Sequence, residues 1–227
     1  MQYDEILKEL KSLSDPSAVE GMARYGINAD HAYGVSIPSL RKIAKRVGKD
    51  HALAERLWSC GIHEARILAS MVEDPSDLSG EQMDRWAGDF NSWDLCDQCC
   101  NNLFRKSRFA HAKALEWAAR KEEFVKRAGF TLMACRAVHD KDTGDADFIV
   151  FLQSIKQETD DHRNYVKKAV NWALRQIGKR NLKLNREAVK VASHMRKLES
   201  KSAKWIGSHA LRELTSEKVR NRLASAE

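Results

Sequence analysis

The pattern that decides the fold lies in Val166–Lys179, which reads VKKAVNWALRQIGK. Its apolar residues recur at the spacing of one face of an amphipathic helix. This predicted stripe consists of Val166, Val170, Ala173, Leu174 and Ile177. Gly178 is a typical helix stop, and Lys179 is a cation of the kind that stabilises a helix C-terminus. The stretch therefore predicts a helix with one buried face.

Trp172 lies away from this stripe, with Lys168 one turn before it and Arg175 one turn after it. Two interpretations of the tryptophan stay open. A second layer of helices could cover it, as happens in helical repeats. Alternatively, an aromatic side chain among cations is typical of a surface that stacks on a nucleic-acid base or sugar and holds the phosphates.

The stretch has weak counterparts elsewhere in the chain. Trp172–Ile177 parallels His209–Leu214 at an offset of 37 residues, and Val125–Ala128 parallels Val166–Ala169 at an offset of 41. Offsets near 40 are typical of HEAT-like helix pairs, which stack into a curved solenoid with a concave inner face. The second helix of each pair lines that face, so we expect one basic groove. Its predicted members are Arg127, Lys168, Trp172, Arg175, Lys179 and Arg212.

The rest of the chain follows the same helical pattern, from a helix beginning at Tyr3 to one ending at Leu214. The helix before the last is predicted at Arg186–Leu198, and another at Phe148–Ile155. About a dozen helices with short connections are expected, and nothing predicts a strand. The fold class is therefore all-α, a HEAT-like helical-repeat solenoid with a concave basic face, in a single domain over residues 1–227.

Charge is distributed unevenly along the 227 residues. The chain has a net charge of +7. From Arg163 to Glu227 there are 17 Lys/Arg against five Asp/Glu, a net charge of +12, whereas the preceding part is net negative. This positive end favours a polyanionic partner, although a solubilising surface would have the same composition. With 43% apolar residues and three prolines, the chain is predicted to be globular and not disordered.

The N-terminal residues Met1–Lys11 are charged throughout and lack the apolar segment of a secretory signal. No apolar run approaches the roughly 20 residues that a membrane span needs. Five cysteines without a secretory signal indicate reduced thiols, and we expect a cytoplasmic protein. Cys96 and Cys99 form a C-x-x-C pair, for which a metal site is one interpretation and a pair of small core residues the other.

A second aromatic site is predicted near the middle of the chain. Trp93 and Asp97 are four residues apart, so on one helix their side chains are neighbours. Asp94 is better placed to interact with the helix dipole at the N-terminus. A carboxylate in an apolar, cysteine-rich stretch is either solvated at the edge of the core or retained for chemistry, and both interpretations stay open for Asp97.

Three segments together resemble the DNA alkylation repair family, the AlkD-like glycosylases. They are Gly34–Lys45 (GVSIPSLRKIAK), Asn91–Asp97 (NSWDLCD) and Lys168–Arg175 (KAVNWALR). The resemblance extends over roughly Ile6 to Leu214. The W-x-x-x-D pattern and the later N-W-A-L-R pattern are fairly specific in combination.

The resemblance implies a metal-independent glycosylase without cofactors that excises cationic alkylated purines such as 3-methyladenine and 7-methylguanine from duplex DNA. Trp93, Asp97 and Trp172 match the catalytic Trp, Asp and second Trp of the family. Arg127 matches the arginine that contacts the DNA backbone near the lesion. The charge pattern adds four DNA-binding candidates to Arg127, namely Lys168, Arg175, Lys179 and Arg212. We also expect Trp93, Asp97 and Trp172 to converge on one surface.

Two other function classes stay open. One is a non-catalytic HEAT-like protein that binds damaged or branched DNA, and the other is a protein–protein scaffold with an acidic partner. Retention of all three catalytic candidates favours the enzyme. The predicted partner is duplex DNA with alkylated bases, with no membrane association and a monomeric state.

Overall fold

The computed structural model describes residues 1–225, and this part of the chain is all-α, as predicted. It contains fourteen α-helices and one 3₁₀ turn, and no strand occurs among the described residues. Packing divides the chain into two compact units, Met1–Phe109 and Ala110–Glu227. The expectation of a single domain over 1–227 stays a prediction.

Unit 1 contains seven helices in two layers. Their bounds are α1 (Tyr3–Ser12), α2 (Pro16–Arg24), α3 (Ile37–Val47), α4 (His51–Ser59), α5 (His63–Val72), α6 (Gly80–Gly88) and α7 (Trp93–Asn102), followed by the 3₁₀ turn Phe104–Lys106. In one layer, α5 packs between α3 and α7. In the other layer, Trp58 of α4 stacks on Trp86 of α6 with ring centroids 4.1 Å apart.

Contacts within each layer of unit 1 recur at a separation of about 31 residues. The indole of Trp58 donates to Asp89 across 31 residues, and Asn102 donates to Ser70 across 32. The helix pairs of unit 1 are thus shorter than the 40-residue period that the sequence predicts. The offsets found in the sequence do not include this shorter period.

Unit 2 contains three helix pairs and a final helix. The pairs are α8 (Ala110–Ala118) with α9 (Glu123–His139), α10 (Asp145–Gln157) with α11 (Asn164–Gly178), and α12 (Leu182–Lys197) with α13 (Lys201–Leu214). The final helix, α14 (Glu217–Ala224), packs on α13. The second helices form one layer, in which α11 packs against both α9 and α13.

The repeat of unit 2 is visible in its hydrogen bonds. Arg163 donates to the carbonyl of Lys121 across 42 residues, and Ser200 donates to that of Thr159 across 41. These separations confirm the period near 40 that the sequence predicts. The connection between the two helices of one pair is held by a side chain from the next pair, so each pair stabilises its neighbour.

Three helix positions differ from the prediction. α12 begins at Leu182, four residues earlier than predicted, because Asn181 caps it by accepting from the backbone N–H of Leu184 at 2.8 Å. α10 also begins earlier, at Asp145. α14 was not predicted at all, although Ser216 before Glu217 is a recognisable N-cap signal.

Gly129 makes the close packing of α9 on α8 possible, and this gives a first prediction. A Cβ atom there would lie 2.4 Å from the backbone nitrogen of Ala118. We expect Gly129→Ala to destabilise unit 2 by about 1–3 kcal/mol, although alanine is the better helix former. Gly21 in α2 is the matched control, since nothing lies within 4 Å of its Cβ position. Gly21→Ala should stabilise by up to about 1 kcal/mol. Urea unfolding measures the change in stability of both variants. A change of the same sign in both would contradict this explanation of the role of Gly129.

Candidate functional site

The helix α7 buries one face and leaves Trp93 and Asp97 half-exposed on another. The buried face consists of Leu95, Cys96, Cys99 and Cys100. Trp93 is held in place because its indole nitrogen donates to the carbonyl of Tyr25 at 3.0 Å. Asp97 is one turn further along α7, so it lies on the same face of the helix as Trp93. Unit 1 therefore presents an aromatic ring and a carboxylate together.

Asp94, the other carboxylate of this helix, is engaged in structural contacts. It accepts from the Ser92 hydroxyl at 2.7 Å, and it lies 2.8 Å from Nε2 of His63. Burial tends to raise the pKa of Asp94, but the hydrogen bonds and the charge of His63 hold that pKa below its usual value. Its contribution to stability is therefore present above the ordinary carboxyl pKa and is lost as the pH falls through the lowered pKa.

Two buried residues of unit 1 support this region and were missed by the sequence prediction. His63 is 6% exposed and joins α5 to the first turn of α7. Glu64 is 1% exposed and accepts from three consecutive backbone N–H groups, those of Tyr33, Gly34 and Val35. No signal in the sequence identifies them, because their partners lie about 30 residues away.

The cysteines of α7 are core residues, which is one of the two interpretations of the C-x-x-C pair. Cys96, Cys99 and Cys100 are all fully buried. Burial raises the pKa of the Cys99 thiol well above its usual value, so this thiol stays protonated. Within the described residues, no group of three His, Cys, Asp or Glu side chains is arranged to hold a metal ion.

In unit 2, Trp172 is half-exposed on α11, as its place off the apolar stripe predicts. The stripe itself is fully buried, which confirms it as the core face of the helix. Lys168 is exposed one turn before the tryptophan. Gln176, one turn after it, is half-exposed. Trp172 therefore belongs to an accessible face of unit 2, and its predicted convergence with the α7 residues stays a prediction.

The five predicted DNA-binding cations occupy three different environments. Lys168 and Arg212 are exposed. Arg175 and Lys179 are both paired with Glu213 of α13, and the Lys179 amine lies 2.7 Å from that carboxylate. Arg127 is 6% exposed and donates to the carbonyl of Tyr165 at 2.7 Å. The expectation that all five share one open basic face therefore does not describe Arg127, which is inside unit 2.

Residues 6–214 match the sequence model of a family described as DNA alkylation repair enzyme. This match covers most of the chain, including the α7 residues and Trp172.

The chain belongs to the DNA alkylation repair enzyme family.

One solved structure is similar with a TM-score of 0.79 and 21% sequence identity, covering 98% of this chain and 96% of the other. It is described as belonging to a new family of proteins related to the HEAT-like repeat DNA glycosylases with affinity for branched DNA structures. This DNA alkylation repair family member therefore has the HEAT-like repeat fold that the sequence predicts. No curated protein matches its sequence.

This family member has a further exposed aromatic residue that the sequence analysis missed. Trp205 of α13 is 38% exposed, stacks on His209 with ring centroids 5.3 Å apart, and lies 5.0 Å from the amine of Lys167. Burial and the nearby Arg175 and Arg212 lower the pKa of His209, so its imidazole favours the neutral form. A tryptophan beside a neutral ring and a cation adds a second aromatic surface to unit 2.

None of the described helices of this family member combines the length and apolar character needed to cross a bilayer.

Proposed function

We propose that this protein is a DNA glycosylase that hydrolyses the N-glycosidic bond of cationic alkylated purines in duplex DNA. The substrates we propose are 3-methyladenine and 7-methylguanine. The observation that carries the proposal is the pair Trp93 and Asp97 on one half-exposed face of α7, in a chain of the DNA alkylation repair enzyme family. Asp94 is held by His63 and Ser92 and has a structural role. We propose Asp97 as the catalytic carboxylate because it shares the half-exposed face of Trp93 and matches the aspartate of the family pattern.

The chemistry needs few groups, because an N-alkylated purine already carries the positive charge that makes it a good leaving group. The bond to the base breaks with its electron pair moving to the purine, and the deoxyribose becomes oxocarbenium-like. The Asp97 anion stabilises that developing positive charge and accepts a proton from the water that attacks the sugar. The products are the free purine and an abasic deoxyribose.

The aromatic residues suit the same transition state. The face of an indole is electron-rich and attracts a cation, so the Trp93 ring beside Asp97 favours the developing charge on the sugar. Trp172 is proposed as a second ring of the site, on the basis of its half-exposed position between Lys168 and Arg175. The cations of unit 2 would hold the DNA backbone without reading its sequence.

The decisive experiment is incubation of the purified protein with methylated duplex DNA, followed by measurement of released methylpurines. We expect release of 7-methylguanine and 3-methyladenine and none of unmodified bases. An unmethylated duplex is the control for spontaneous loss. No release above the spontaneous rate from any alkylated duplex would contradict the glycosylase proposal.

A second candidate is a non-catalytic protein that binds branched DNA. It is favoured by the similar structure, whose protein is described as having affinity for branched DNA structures. Titration of a four-way junction and of a linear duplex of equal length separates the candidates. Stronger binding to the junction without base release would favour this second candidate, and base release would favour the first.

Salt dependence supplies a further prediction for the exposed cations. Replacing Lys168 and Arg212 by Gln should reduce the log–log slope of DNA affinity against salt by about 0.9 for each phosphate that the variant no longer neutralises. The same change at the exposed Lys190 and Lys197 of α12 is the control, for which we expect no change of slope. An unchanged slope in the Lys168 and Arg212 variant would show that other residues hold the phosphates.

A further inference from the structure

A cleft of about 480 Å³ lies in unit 2 near the ends of α9 and α11, and Arg222 and Leu223 of α14 form part of its lining. Its polar lining comes from Lys141, Gln176, Lys179, Arg180, Asn181 and Arg222. The volume is within the range of about 300–1,000 Å³ that is typical of ligand sites. Four of its residues are cations, and none of its described lining residues is a carboxylate.

Part of this charge has a structural explanation, because cations stabilise the C-terminal ends of helices. Arg180 donates to the carbonyls of Ala137 and Asp140 at 2.9 and 2.6 Å, and Lys141 donates to that of Val138 at 2.8 Å. Arg222 donates to the carbonyl of Lys179. A carbonyl supplies only a partial charge, so these hydrogen bonds hold the side chains in place without neutralising them.

Nearby carboxylates neutralise little of the remaining charge. Glu213 pairs with Lys179 but is shared with Arg175. The Asp140 carboxylate pairs with Arg136 at 2.8 Å, and that of Asp145 accepts from Asn181 at 2.8 Å. Arg180 is also near the charges of Asp140 and Asp145, and its guanidinium lies 4.0 Å over the Phe148 ring. The cations most available to an anion in the cleft are therefore Lys141 and Arg222, which are exposed and whose described hydrogen bonds go to backbone carbonyls. Such a recess attracts an anion with several acceptor oxygens.

We propose that this cleft binds a phosphate of the DNA backbone. The proposal deepens the proposed function and rests on it. Gln176 is one turn after Trp172 on α11, and Arg180 is eight residues after it, which is about 12 Å along a helix. A strand of duplex DNA advances about 3.4 Å per nucleotide along the DNA axis, so a strand running parallel to α11 would place a phosphate at the cleft about three nucleotides from the sugar that we propose Trp172 contacts.

Part of the cleft comes from the C-terminal end of the chain. Arg222 belongs to α14, which begins after residue 214, where the match to the DNA alkylation repair enzyme family ends. One wall of the cleft and one of its cations therefore come from a segment outside the family pattern.

The first test is calorimetric titration of the full chain with inorganic pyrophosphate. We expect the double variant Lys141→Gln and Arg222→Gln to bind pyrophosphate at least tenfold more weakly than the wild type. Glutamine keeps a hydrogen-bond donor at each position, so helix capping is retained. The control is Lys190→Gln with Lys197→Gln, which removes the same charge from exposed positions of α12 and should bind within twofold of the wild type. Equal pyrophosphate affinity in wild type and cleft variant, or none in the wild type, would overturn the phosphate site.

The second test uses DNA and identifies the source of the phosphate. For a duplex with 5′-hydroxyl ends, the cleft variant should lower the salt slope by about 0.9, because it neutralises one phosphate fewer, whereas the control should leave the slope unchanged. An unchanged slope would overturn the backbone assignment. So would a preference of the wild type for 5′-phosphorylated ends that is absent from the cleft variant. Because pyrophosphate binding needs no base excision, failure of the glycosylase proposal and failure of the cleft are distinguishable.

Discussion

Asp97→Asn is expected to slow base excision at least hundredfold while leaving the fold and DNA affinity nearly intact. Asparagine keeps the size and hydrogen-bonding capacity of aspartate but loses the negative charge. If the anion stabilises an oxocarbenium-like sugar, its loss should raise the barrier by on the order of 3 kcal/mol. DNA affinity should not fall, because a carboxylate near DNA repels phosphates. Single-turnover release of 7-methylguanine measures the rate, and a duplex titration measures the affinity.

Asp94→Asn is the matched control on the same helix. Its carboxylate is engaged by His63 and Ser92, so we expect this change to destabilise unit 1 by about 1–3 kcal/mol. Excision by the folded fraction should fall less than tenfold. Asp97 would then affect the excision rate, and Asp94 would affect the stability of unit 1. Equal excision rates for wild type and Asp97→Asn would end the catalytic assignment.

Glu64→Ala is expected to destabilise unit 1 strongly. Its buried carboxylate accepts from the N–H groups of Tyr33, Gly34 and Val35, with nitrogen–oxygen distances of 2.9, 2.6 and 3.3 Å. Hydrogen bonds to a charged group contribute about 1.5–3 kcal/mol each. Removing the Glu64 carboxylate takes this acceptor away from all three backbone N–H groups. We expect a loss of about 3–5 kcal/mol in the free energy of unfolding, measured by urea titration.

Two further variants make this test specific. Glu64→Gln should destabilise unit 1 less than Glu64→Ala does. It should still destabilise, because the NH₂ group of the amide is a donor and would face a backbone N–H that is also a donor. Glu20→Ala, at an exposed position of α2, should change stability by less than about 0.5 kcal/mol. A similarly small effect at Glu64 would show that the segment before α3 is held by other interactions.

Much of the local structure was predictable from the sequence alone. The stripe of α11 and the half-exposed position of Trp172 follow from helical periodicity, because the side chains of one helix are placed by spacing. The spacing of Trp93 and Asp97 places them together on α7 for the same reason. The all-α class and the 40-residue period of unit 2 were also predicted, since packing one helix pair on the next repeats the same pattern.

Only the tertiary structure decided which charged groups are available. Lys168 and Arg175 look equivalent in the sequence, yet Glu213, 38 residues after Arg175, pairs with the arginine and leaves the lysine exposed. Arg127 is inside because the carbonyl of Tyr165 in the next pair accepts its hydrogen bond. Likewise, the cleft brings Arg222 and Leu223 of α14 together with residues near the ends of α9 and α11. Spacing determines what one helix presents, but burial and pairing depend on residues from neighbouring repeats, whose side chains meet only after the pairs have packed.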